Sequence, residues 1–331
     1  MVCDIFERKI KMKKTLYLIA VFSLCTGLVS CKRPVDKAAE QATVAHTQNY
    51  EQAINKINSA TQTIEKDYLT ADTPEGKEVD TETLTKAFSD SFTKLSTKKN
   101  LTVYQGLKIN ISPEKSTGEG EAEYTLSSTM LKMNEEDGSF SASVSIDNEV
   151  NSQAQTLTGY YDGKEFFYET VQMGELDQVQ DLKLKRELSK EEFVKSFYNS
   201  DINTPTQNIE KSYVKDNDDG TKTYLAVLSP GETTASLNNA AQQNIDGVTQ
   251  SMTVYYCNMT FNVDKEGVLR DYAYVINAEY SEDELKYDYN FEQTFSADDI
   301  GKTTVDVIQD TSEYLVAEDT EEASVPSAEA N

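Results

Sequence analysis

Side chains able to do covalent chemistry are scarce in this chain, and their settings limit what chemistry is open to it. There is one histidine, His46, and it lies in the polar stretch KRPVDKAAEQATVAH, residues 32–46. Ser-His-Asp and Cys-His arrangements need an imidazole positioned beside a nucleophile, and histidine-rich metal sites need several. A lone histidine in a stretch without apolar spacing suits neither. Of the four cysteines, Cys257 stands alone within an aromatic strand pattern and reads as a buried structural thiol. The Cys31 thiol has a different setting, directly after Leu28-Val29-Ser30 at the end of a short apolar run.

Carboxylates are plentiful, so no single pair of them stands out. Asp216, Asp218 and Asp219 before Gly220 resemble part of a calcium loop, but no glutamate follows at the required spacing. A hairpin turn is the expectation there, and Glu282, Asp283 and Glu284 read as a solvated loop. The stretch KSTGEG, residues 115–120, has two glycines without the phosphate-loop spacing and reads as a strand connection. No catalytic residue, metal ligand or cofactor site is assigned on these grounds, and the expectation is a non-catalytic protein.

Met12-Lys13-Lys14 forms a basic start, Leu16 to Leu24 an apolar core, and small residues lead to Cys31. This resembles the bacterial lipoprotein signal, or lipobox. The resemblance implies removal of residues 1–30 as a signal peptide, with cleavage between Ser30 and Cys31 and lipid attachment at Cys31. Met12 is a second candidate start. The apolar run is shorter than the ~20 residues a membrane-spanning helix needs. Acyl chains contribute about 0.8 kcal/mol per buried CH₂, so acylated Cys31 is the expected membrane contact, on the extracytoplasmic face. Residues 31–46 then read as a flexible tether.

The formal charge is −26, and loss of residues 1–30, which carry more basic than acidic side chains, deepens it. Such a surface repels nucleic acid and anionic head groups. With Cys257 the remaining thiol after acylation of Cys31, no intramolecular disulfide is expected, and the fold must stand on its core.

The elements that carry that core follow from spacing. Tyr50, Ile54, Ile57, Ile64 and Tyr68 recur at helical intervals, and so do Leu84, Phe88, Phe92 and Leu95 after a cap at Asp80 or Thr81. From Leu101 the period becomes two, through Val103, Leu107, Ile109 and Ile111, then Tyr124 to Lys132. Phe140, Ala142, Val144 and Ile146 alternate with serines, as in a strand with one solvated face. Asp137-Gly138 and Asp162-Gly163 read as hairpin turns. Ser189 and Glu192 have capping-box spacing before Phe193, Val194, Phe197 and Tyr198. Asn217 to Gly220 is a further turn, Pro230-Gly231 a stop, Thr234 to about Ile245 a modest helix, and Met252 to Phe295 a run of long strands. The expected body is one domain over 47–315, with a disordered acidic tail at 316–331.

The chain has 19 Tyr and 12 Phe but no Trp, many of them in strand patterns such as Phe166-Phe167-Tyr168, where neighbours point to opposite faces. The lipobox, the helix before antiparallel strands, the hairpin GYYDGKEFFYE (159–169) and the run MTFNVDKEGVLRDYAYVI (259–276) together resemble Gram-positive lipoproteins of the LolA, LppX and LprG type. That resemblance implies an α+β fold, a curved antiparallel sheet or incomplete barrel covered by a few helices, enclosing an apolar cavity. It further implies binding of a hydrophobic small molecule or lipid. Ile57, Ile64, Phe88 and Phe92 are the expected helical lining. A cell-envelope interaction module without a cavity is the competing reading, and a hydrolase using paired carboxylates is a distant third.

Overall fold

The structure, a computed structural model, describes residues 76–113, 122–150, 153–173, 179–198, 208–242, 250–282 and 285–317. The helix expected over 50–68, Ile57 and Ile64, the signal segment, Cys31 and the tether lie outside the described residues. A short strand β1 (Lys77–Val79) leads into helix α1 (Thr81–Ser96). Asp80 caps α1, its carboxylate accepting from Thr83 N at 2.6 Å. Leu84, Phe88, Ser91 and Leu95 form its buried stripe.

A six-strand meander follows: β2 (Asn100–Pro113), β3 (Glu123–Glu136), β4 (Ser139–Val150), β5 (Gln153–Tyr161), β6 (Glu165–Met173) and β7 (Val179–Glu187). Each strand pairs antiparallel with the next. The β3–β4 turn has positive φ at Asp137 (50°) and Gly138 (80°), which is what a two-residue turn matched to strand twist requires. Helix α2 (Lys190–Phe197) begins with the expected capping box, Ser189 N donating to Glu192 Oε2 at 2.7 Å.

The second half runs β8 (Ile209–Asp216), β9 (Lys222–Leu228), α3 (Pro230–Gln242), β10 (Gln250–Val263), β11 (Leu269–Glu282), β12 (Leu285–Asp298) and a last short strand, β13 (Leu315–Val316). Its long strands form their own meander, and β12 then pairs with β2 to join the halves. The result is one curved, unclosed sheet of 13 strands, with β1 and β13 at its ends and three helices among the described residues.

The register divides the sheet into two faces. Leu101, Val103, Ile109, Leu131, Val144 and Phe261 lie on the inner face, where α1 and α2 pack and most of the core gathers. Phe88 meets Phe261 edge-on at 5.1 Å, and Phe193 stacks on Tyr161 at 4.6 Å. Helix α3 guards a strand edge. Its Asn238 exchanges hydrogen bonds with Met252 N (2.7 Å) and Met252 O (2.9 Å), while Thr234 Oγ1 accepts from Val254 N (2.9 Å). Those atoms lie where β10 runs beyond its pairing with β9, so side chains replace a missing strand.

Three expectations need correction. The serine face of β4 is not solvated: Ser143 and Ser145 are buried. The segment from Asp299 to Ala317 crosses that outer face as a strap. Thr303 N donates to Asn100 Oδ1 (2.7 Å), Asp306 N to Ser143 Oγ (3.1 Å), and Tyr314 packs edge-on against Phe167 at 5.7 Å. The third helix begins at Pro230 rather than Thr234, because proline has no N–H to lose at the first helical position. The acidic tail does not start at 316: Val316 still pairs with Lys185, and Ala317 N donates to Lys185 O at 2.9 Å.

Candidate functional site

A concavity of about 870 Å³ lies between the C-terminal turn of α1 and helix α2. Its floor is apolar. Leu101 and Met133 are register partners at the start of β2 and the end of β3, and Phe140 lies beside them on β4. Leu95 of α1 forms one wall, and Val194 and Tyr198 of α2 the other.

Helix α2 can form a wall because its apolar residues make two adjacent stripes. Phe193 and Phe197 are buried against Phe166 and Tyr161, and they anchor the helix to the sheet. Val194 and Tyr198, each one position further round, turn toward the cleft. The start of the helix is held by Tyr161 Oη donating to Leu188 O at 2.9 Å and by Leu188 N donating to Lys164 O at 3.0 Å.

The mouth is charged. Lys190 Nζ donates to Glu135 Oε2 at 2.9 Å and lies 4.8 Å from the Phe140 ring centre, while Lys99 approaches the same carboxylate at 3.6 Å. These lysines, Lys190 first, hold the Glu135 carboxyl below the usual glutamate range. Lys98, Glu191 and Lys195 complete the rim. Among the described residues Lys98 and Lys195 have no carboxylate partner, and the Tyr198 hydroxyl has no hydrogen-bond partner. Burial pushes the Tyr198 phenol up to about 12, so it stays a neutral donor at physiological pH.

Lysines and the ion-paired Glu135 thus stand beside an apolar floor, and among the described residues no nucleophile is paired with a base there. Cys257 is buried, its thiol 3.2 Å from Thr233 Oγ1 and pushed up by burial. Asp216 pairs with Lys222 at 2.9 Å and Asp219 accepts from Thr221 N at 3.0 Å, so that acidic run is a hairpin turn. Among the described residues no three His, Cys, Asp or Glu side chains converge, and no helix is long and apolar enough to cross a membrane.

The structure separates the lining expected from sequence from the cleft it forms. Phe88 is enclosed between Phe261 and Tyr272 and fills space, and Phe92 packs at the edge of the core. The residues that do line the cleft were not singled out as lining. Phe193-Val194 and Phe197-Tyr198, two apolar pairs four residues apart, were the signal that α2 has a second apolar face.

No family model and no curated protein matches the chain. Among solved structures it is similar to a beta-barrel-like protein of a domain of unknown function, DUF1849, from Brucella abortus. The identity is 8%, the match covers 61% of this chain and 100% of that one, and the TM-score is 0.20. It is also similar to a DUF1329 family protein from Desulfovibrio piger, at 12% identity over 66% of this chain and 94% of that one, with a TM-score of 0.19.

Proposed function

We propose that this is an extracytoplasmic lipoprotein, held to the membrane by acylated Cys31, that binds an apolar or amphiphilic ligand without catalysis. The observation that carries the reading is the α1–α2 cleft of about 870 Å³, with Leu101, Met133 and Phe140 on its floor. That size falls in the ~300–1,000 Å³ range of small-molecule sites, which are typically apolar with a few placed polar groups. A ligand chain laid over Leu101, Met133 and Phe140 would leave water at about 25 cal/mol per Å², less the cost of association.

Titration of the full chain with fatty acids of increasing length tests the proposal. Affinity should rise by up to about 0.8 kcal/mol per added CH₂, roughly fourfold, until the cleft is filled. Absence of binding, or affinity independent of length, would overturn it. A second reading, an envelope interaction module, draws support from the side-chain packing beneath both helices, where Phe88 and Phe193 leave no room for a ligand. That reading predicts no saturable binding at any chain length.

A further inference from the structure

We propose that the cleft selects amphiphiles with an anionic head group, seated between Lys98, Lys195 and the Tyr198 hydroxyl; this rests on the binding reading above. The chain as a whole is strongly acidic, with 57 Asp and Glu against 31 Lys and Arg. The rim of this one cleft runs against that balance, with Lys98, Lys99, Lys190 and Lys195 facing only Glu135 and Glu191.

The four lysines divide into two roles. Lys99 and Lys190 share the Glu135 carboxylate, and that pairing joins α2 to the sheet. Lys98 and Lys195 stand on opposite walls without a carboxylate partner among the described residues. Lys98 is also half-buried as a residue, its aliphatic stem lying along the cleft wall and its charge near the rim. Lys195 lies in the last turn of α2 and Tyr198 is its C-cap, and both line the cleft. Together they offer two cations and a neutral O–H donor, a set suited to a carboxylate or phosphate and offering nothing to a quaternary ammonium.

The acidic surface elsewhere does not cancel this attraction. Charges further off than a Debye length, about 8 Å at physiological salt, are largely screened, whereas the rim lysines would touch the head group. The acyl chain would then run from the rim over Met133 and Phe140.

The test compares three probes with a twelve-carbon chain, each below its micelle concentration, on the full chain: dodecanoate, 1-dodecanoylglycerol and dodecyl maltoside. Dodecanoate should bind about tenfold more tightly than the other two, and the margin should shrink in high salt. In the Lys98→Gln/Lys195→Gln variant, or in high salt alone if that variant is unstable, the three affinities should converge. Equal binding of all three probes, or tighter binding of a neutral one, would overturn the head-group assignment and leave the cleft reading standing. Binding of none would overturn both.

Discussion

Lys190 Nζ lies 2.9 Å from Glu135 Oε2, and this contact ties the first turn of α2 to the end of β3 across the mouth of the cleft. Lys190 is the residue immediately after the α2 cap, so the ion pair and the capping box fix the same end of one helix.

The first prediction concerns pH. The folded-state pKa of Glu135 is depressed, chiefly by Lys190. The tie is therefore present above the unfolded value of about 4.3 and is lost as pH falls through the lower folded value. A carboxyl-detected NMR titration should give Glu135 a midpoint below the ordinary glutamate range, and Lys190→Gln should move it upward. A midpoint at or above the ordinary range would show that the pair does not form.

Phe193 and Val194 are neighbours with opposite duties. Phe193 is fully enclosed, stacking on Tyr161 and meeting Phe166 and Phe197 at 5.4 and 4.9 Å. Phe193→Ala should cost about 3–5 kcal/mol in denaturant unfolding. Val194→Ala faces the cleft and should cost about 1 kcal/mol or less. Equal costs would mean that α2 is rotated from the orientation described.

Tyr272 carries a hydroxyl in the core with no hydrogen-bond partner among the described residues, and burial pushes its phenol upward. An unsatisfied buried polar group costs about 1–3 kcal/mol. Tyr272→Phe should therefore raise thermal stability or leave it unchanged, and a clear loss would reveal a partner for the hydroxyl.

Membrane attachment makes a separate prediction. In a bacterial host the protein should partition into detergent, and Cys31→Ala should be released to the soluble fraction or remain unprocessed. Unchanged partitioning of the variant would refute lipidation at Cys31.

Much of the sheet was legible because burial on one face imposes period two, as along Leu101–Ile111 and Phe140–Ile146. The assignment of Phe166 and Tyr168 to one face and Phe167 to the other holds: the first two stack at 5.0 Å inside, and Phe167 meets Tyr314 outside. Strand β7 went unread because Leu182 and Leu184 alternate with lysines near the sheet end, where burial is only partial. The strap left no periodic signal, since it is held at scattered points: hydrogen bonds to Asn100, Ser143 and Glu169, the Tyr314–Phe167 ring contact and a two-residue pairing with β7. The cleft was hidden for a different reason. Its walls come from three stretches, 95–101, 133–140 and 190–198, that only the strand register and the seating of α2 bring together.

Met130 and Met133 lie on opposite faces of β3, Met133 on the cleft floor and Met130 on the outer face. Methyl NMR of the methionine-labelled full chain during titration with dodecanoate is therefore the most direct test of ligand binding in the cleft. A saturable shift of the Met133 methyl, with Met130 unmoved, is the predicted result. No saturable shift at Met133, or equal shifts at both methyls, would contradict it.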